Sequence, residues 1–262
     1  MSVESTEPIT SPRELCSRAA ELAADFPRGQ PVGVDREAEV GVVMTKYWNV
    51  ALPRAAGLLA RSLIDMASRG MTETVLVRRA LMELYANLAV LNLDPQKAVR
   101  YAMEQQISNE RMLARLRQHD IGSAEELDVK AAQLDEARAQ IEEHGLDPSD
   151  IRRYEPFGMS TKERFEAAGL HYAYYDILYS TASDYAHMNA RAVERVLDDD
   201  FDEASADAEL AIATDFLIRI LRSANDKLGT DLGPDIERLK DDYTAADAAV
   251  RAAKAAEEGD GA

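Results

Sequence analysis

Apolar residues recur along this chain at steps of three and four, in long runs separated by helix-stopping residues, and this pattern predicts helices throughout. The first run opens after Ser11, with Pro12 at the first helical position, and extends to Phe26 before Pro27 and Gly29. From Asp35 a second run carries Val40, Val43, Met44, Tyr47, Trp48 and Ala51, then passes Pro53 through Ala56, Leu59, Leu63 and Met66. It reads as one long helix kinked at Pro53, or as two. Beyond Gly70, Thr72 is the expected cap of a helix whose apolar stretch runs from Val75 to Leu93, and Asp94-Pro95 then caps a fourth that reaches about His119. Ser123 with Glu126 forms a capping box before a charged helix to His144, closed by Gly145 and Pro148.

The stretch IRRYEPFGM is irregular, and Ser160 with Glu163 supplies a second capping box leading to Ala168 and Gly169. One helix from about Leu170 to Leu197 is expected next. The acidic run Asp198, Asp199, Asp200, Asp202, Glu203 then reads as a turn and helix start. Ala204 to Leu228, stopped by Gly229, and Asp235 to about Val250 complete the set. No segment alternates in the manner of a strand, so the expected fold is all-α, an irregular bundle of seven to ten helices with essentially no sheet. A single domain over 12–250 is expected, with residues 122–145 as a protruding arm, 1–11 disordered and 251–262 fraying.

Charge narrows the partners. Forty-eight acidic residues against thirty basic ones give a formal charge of -18, which opposes general binding to nucleic-acid phosphates or an anionic membrane, leaving only a local basic groove. The apolar stretch from Leu81 to Leu93 is too short for a bilayer and is interrupted by Glu83 and Asn87. One cysteine, Cys16, excludes an internal disulfide, and the amino terminus carries no export signal, so a cytoplasmic location is expected.

The sequence contains no P-loop, no GxGxxG, no HExxH, no CxxC and no GxSxG, and only Asp184-x-x-His187 resembles half of a di-metal helix motif. No cofactor or metal is expected. Two polar stripes remain. Arg79, Glu83 and Asn87 lie four apart beside an apolar arc of Leu76, Ala80, Leu84 and Leu91. This is either an ion pair covering the core edge or a guanidinium held by Glu83 that offers its other donors to a ligand. In the helix after Gly169, Asp176, Ser180, Ser183, Asp184, His187, Arg191 and Glu194 share one face. Tyr174, Leu178, Ala182, Tyr185, Ala192 and Val196 form the opposite, core-directed face, with Tyr175 and Tyr179 on its flank. Serine, aspartate and histidine propagate a helix less well than Glu, Lys or Gln, so this face reads as an interhelical network or a site. Arg138 and His144 match the loose Arg-x(4 to 6)-His spacing of a class of helical ribonucleases, but their place at the end of a charged helix assigns the match to chance.

Two blocks, RRALMELYANLAVL at 78–91 and FEAAGLHYAYYDILYSTASDYAHMN at 165–189, resemble a bacterial family known only as domain of unknown function 5677, over about 40–190. The resemblance implies a helical protein and directs attention to Arg79, Glu83, Tyr179, Ser180, Ser183 and His187. It brings no activity with it.

The expectation is therefore an intracellular interaction or regulatory module, as a homodimer or with a protein partner, whose polar network specifies helix packing. Arg79, Glu83, Ser183 and His187 are its candidate site, supported by Tyr179, Ser180, Asp184 and Asn87. The alternative is a hydrolase, such as a defence or toxin ribonuclease, with His187 as general acid or base, Arg79 on developing phosphate charge and Glu83 orienting Arg79. Metal chemistry through Glu83, Asp184 and His187 ranks third.

Overall fold

A computed structural model describes residues 11–27, 39–143, 157–187 and 201–259. The expectations for residues 1–10, the helix start at Asp35, His144, the segment 145–156, the face residues Arg191 and Glu194, Asp198 to Asp200 and the last three residues lie outside the described residues.

Among the described residues the fold is helical and contains no strand, as the periodicity predicts. Helix α1 (Pro12–Ala24) starts as local chemistry dictates, Ser11 Oγ accepting from the Glu14 N–H and Pro12 filling the position whose N–H would be unpaired. Helix α2 (Val40–Ser68) runs unbroken through Pro53. Helix α3 (Thr74–Leu93) begins one residue later than a Thr72 cap requires, and Glu73 at its cap makes no capping hydrogen bond. Asp94 caps α4 (Pro95–Gln118) by accepting from the Gln96 N–H at 2.9 Å. Ser123 and Glu126 bond to one another at the start of α5 (Ala124–Glu143), and Ser160 and Glu163 form the full reciprocal box of α6 (Thr161–Ala167). Asp202 caps α8 (Glu203–Leu228), which ends at Gly229 with φ 64°, a left-handed conformation that glycine adopts at no steric cost. Helix α9 (Gly233–Gly259) continues past Val250.

The expected single helix from Leu170 is corrected. Residues Tyr174–Tyr179 form a π segment that leads directly into the α-helical Ser180–Ala186, α7, and the rest of the expected helix, residues 188–197, lies outside the described residues. A π turn bonds each N–H to the carbonyl five residues back, and the Ser180 N–H reaches the Tyr175 carbonyl in this way.

Helices α1, α2, α3 and α8 pack on one another around a core that includes Leu15, Leu63, Leu81, Met82, Leu91 and Phe216, with α9 against α8 and α1. Helices α6 and α7 lie on α3, α4 lies on α2, and α5 lies along α4. A β-carbon at Gly57 would stand 2.4 Å from the Ala24 nitrogen and 2.6 Å from the Ala20 carbonyl oxygen, so α1 and α2 approach as closely as they do because position 57 has no side chain. A polar belt crosses the core. The Asn49 amide donates to Asn92 at 2.7 Å, and the Asn92 amide donates to Ser223 Oγ at 2.9 Å, joining α2, α3 and α8. No helix among the described residues is long and apolar enough to cross a membrane.

Candidate functional site

Helix α3 is central to the bundle, and its polar positions separate by angle. Arg79 and Glu83, one turn apart on the edge facing the π segment and α7, form an ion pair through Arg79 Nε at 3.0 Å. Arg79 Nη2 donates to the Tyr179 hydroxyl at 3.0 Å, and that hydroxyl donates to Glu83 Oε1 at 2.8 Å. Arg79 Nη1 reaches Ser183 Oγ at 3.5 Å. The guanidinium carbon also stands 4.7 Å from the Tyr179 ring centre, within cation–π range. Arg79, Glu83 and Tyr179 thus close a three-membered ring of hydrogen bonds, with Ser183 at its margin.

The electrostatics follow from this closure. Burial raises the Tyr179 hydroxyl above its ordinary range, and the Glu83 carboxylate pushes it further. Burial works against the charge on Arg79, but its bond to Glu83 and the nearness of Tyr179 outweigh that and hold it more firmly protonated than usual.

The remaining expected residues take other places. Asn87, buried, does not join Arg79; its Oδ1 accepts from Arg164 Nη1 of α6, while Arg164 Nη2 donates to Thr161 Oγ1 at 2.8 Å. The reason is angular drift along α3, which brings position 87 opposite α6 rather than α7. Ser180 is exposed, because the π segment adds a residue to its turn and moves the following positions around the axis. Asp184 joins none of these hydrogen bonds. His187 is exposed and ends α7 through its backbone N–H to the Ser183 carbonyl at 3.1 Å. No hydrogen bond or ion pair among the described residues links its imidazole to Arg79 or Glu83. Glu83, Asp184 and His187 do not gather as a metal site, and no group of three or more potential ligands does so among the described residues.

Sequence reasoning missed a second pair. Arg78 and Glu209 form a buried ion pair between α3 and α8, and Arg78 Nη2 also donates to the Leu178 carbonyl in the π segment at 3.2 Å. The signal was present. Arg78 sits among Val75, Leu81 and Met82, and Glu209 among Ala206, Leu210 and Ala213, so each interrupts an apolar stripe. Arg164 is the third such residue, since it neighbours Phe165 in a helix too short to display a period.

Against this geometry, the model of the family of unknown function DUF5677 matches residues 50–205. The chain belongs to this family. No curated protein and no solved structure matches it. The DUF5677 segment holds α3, α6, the π segment and α7, and therefore both sides of the Arg79 cluster, while Glu209 lies beyond its end.

Proposed function

We propose that this protein is a non-catalytic interaction module that self-associates through the α4–α5 hairpin, its Arg79 cluster serving to fix the π segment and α7 against α3. The observation that carries the non-catalytic reading is the closure of the Arg79, Glu83 and Tyr179 ring. Glu83 Oε1 receives both donors, and the imidazole that would move a proton stands outside their hydrogen bonds. The hydrolase alternative requires those groups to converge on a space for substrate.

The hairpin offers the surface. Met112, Ile121 and Val129 are each more than half exposed there. Helix α5 carries seven acidic side chains against two basic ones, while Arg111 and Arg115 of α4 make no ion pair among the described residues. Two hairpins related by a two-fold axis would set the basic edge of one α4 against the acidic α5 of the other.

Sedimentation of the full chain from about 1 µM to about 100 µM, the range of weak to moderate association, tests this. A dimer that Ile121→Asp with Val129→Asp converts to monomer is the expected result. A monomer throughout, or phosphodiester hydrolysis abolished by His187→Ala, overturns it.

A further inference from the structure

On α4, Tyr101, Glu104 and Ser108 are spaced three and four apart and share one stripe, which faces Trp48 of α2. With Asn109 they line a cleft of about 400 Å³, within the roughly 300 to 1,000 Å³ common for small-ligand sites. Its walls are fixed. The Tyr101 ring stacks on Phe157 at 5.3 Å with 8° between planes, and Trp48 meets Tyr101 edge-on at 4.8 Å.

Two groups in this cleft have no hydrogen-bond or ion-pair partner among the described residues. The Trp48 indole nitrogen is buried and has no hydrogen-bond acceptor among the described residues, whereas buried indole N–H groups ordinarily find one. The Glu104 carboxylate is half-buried and makes no hydrogen bond or ion pair among the described residues. The charges of Arg164 and Arg111 act on it from a distance, and both terminal nitrogens of Arg164 are committed to Asn87 and Thr161.

We infer that this cleft binds an organic ammonium group whose carbon chain also carries an oxygen acceptor. The ammonium hydrogens answer Glu104, the methylenes and the positive charge lie against the aromatic rings, and the oxygen accepts from the Trp48 N–H. Ser108 and Asn109 at the rim complete the hydrogen bonding. An anion meets the Glu104 carboxylate and an overall charge of -18, and a neutral ligand adds nothing to the distant compensation that Arg164 and Arg111 give that carboxylate. A free amino alcohol and a lysine side chain of another protein share this chemistry. The cleft adjoins the hairpin surface along α4 but is lined by other side chains, so repeating the titration with the Ile121→Asp, Val129→Asp variant distinguishes its failure from a failure of self-association.

Trp48 is the sole tryptophan of the chain, so intrinsic emission reports on this cleft directly. The full chain is titrated at constant ionic strength with 2-aminoethanol, with its uncharged counterpart ethylene glycol, and with Nα-acetyl-lysine amide, whose side-chain ammonium is free. The expected result is a saturable emission change with one or both amines and none with the glycol. Glu104→Gln, which removes a charge but no internal partner, weakens it by about tenfold or more. Saturation by 2-aminoethanol identifies a free amine, and saturation by the lysine amide alone identifies a protein side chain. Saturation-transfer NMR with Trp48→Phe, expected to weaken binding, supplies a readout independent of fluorescence. An unsaturable drift, an equal response to the glycol, or unchanged affinity in Glu104→Gln overturns the inference.

Discussion

Replacing Arg78 with Met and Glu209 with Leu, singly and together, asks whether the buried ion pair stabilises the bundle. Their side chains are 6% and 9% exposed, and Arg78 Nε and Glu209 Oε2 are buried without a hydrogen-bond partner among the described residues. Burial raises the Glu209 carboxyl and lowers the Arg78 guanidinium, in each case more than the partner's charge restores. Where desolvation exceeds attraction in this way, the pair as a whole is expected to cost stability. Either single substitution strands a buried charge and should cost about 3–5 kcal/mol. The double substitution removes both charges and loses the bond to the Leu178 carbonyl, worth about 0.5–1.5 kcal/mol, while gaining apolar burial. It should fall within about 1 kcal/mol of the wild type or exceed it by about 1–4 kcal/mol.

Urea denaturation followed by far-UV circular dichroism measures all four proteins. Additive singles would sum to about 6–10 kcal/mol, comparable with the whole stability of a domain, so an unfolded double variant refutes the argument. The pH dependence has a definite sign. Glu209 titrates higher in the folded state than its unfolded value of about 4.3, so its contribution is full below that value and is lost as pH rises through the folded pKa. The wild type should accordingly lose ground to the double variant between acid and neutral pH.

Tyr179→Phe keeps the ring and removes the hydroxyl that joins Arg79 to Glu83. With those side chains 25% and 32% exposed, water replaces part of the bonding and the loss should be about 1–2 kcal/mol by thermal unfolding. His187→Ala should change stability by less than about 0.5 kcal/mol; a loss as large as that of Tyr179→Phe would show its imidazole tied into the cluster. Gly57→Ala should destabilise by about 1–3 kcal/mol, because the new carbon meets α1 backbone rather than a movable side chain, and an unchanged midpoint would contradict the close crossing of α1 and α2.

What could be read from sequence was what local chemistry decides. Ser11, Asp94, Ser123, Ser160, Asp202 and Gly229 mark helix ends through bonds to residues two to four away, and those bonds are present in the folded chain. The π segment was not legible, since nothing within YYDILY distinguishes it from an α-helix. It coincides with long-range ties, Arg78 to the Leu178 carbonyl and Tyr179 to Glu83, made by residues about a hundred positions apart. The Arg79–Glu83 stripe was visible because its partners are four apart, whereas Arg78 was passed over because its partner is 131 positions away.

The two adjacent arginines of α3 therefore divide their work. Arg78 points into the bundle, where it is buried and bonds to Glu209 and the Leu178 carbonyl. Arg79, about 100° further round, lies at the margin, a quarter exposed and with its third bond, to Ser183, at the limit of hydrogen-bond length. Both brace the same π segment, one from beneath and one from its edge. Ser183 makes the weakest bond of the Arg79 cluster, and α7 is held to α3 besides by the packing of Ala182 and Tyr185 on Val75. Hydrogen exchange within 180–186 should then respond to Tyr179→Phe more than exchange within α8 does, because the substitution loosens the edge and spares the interior.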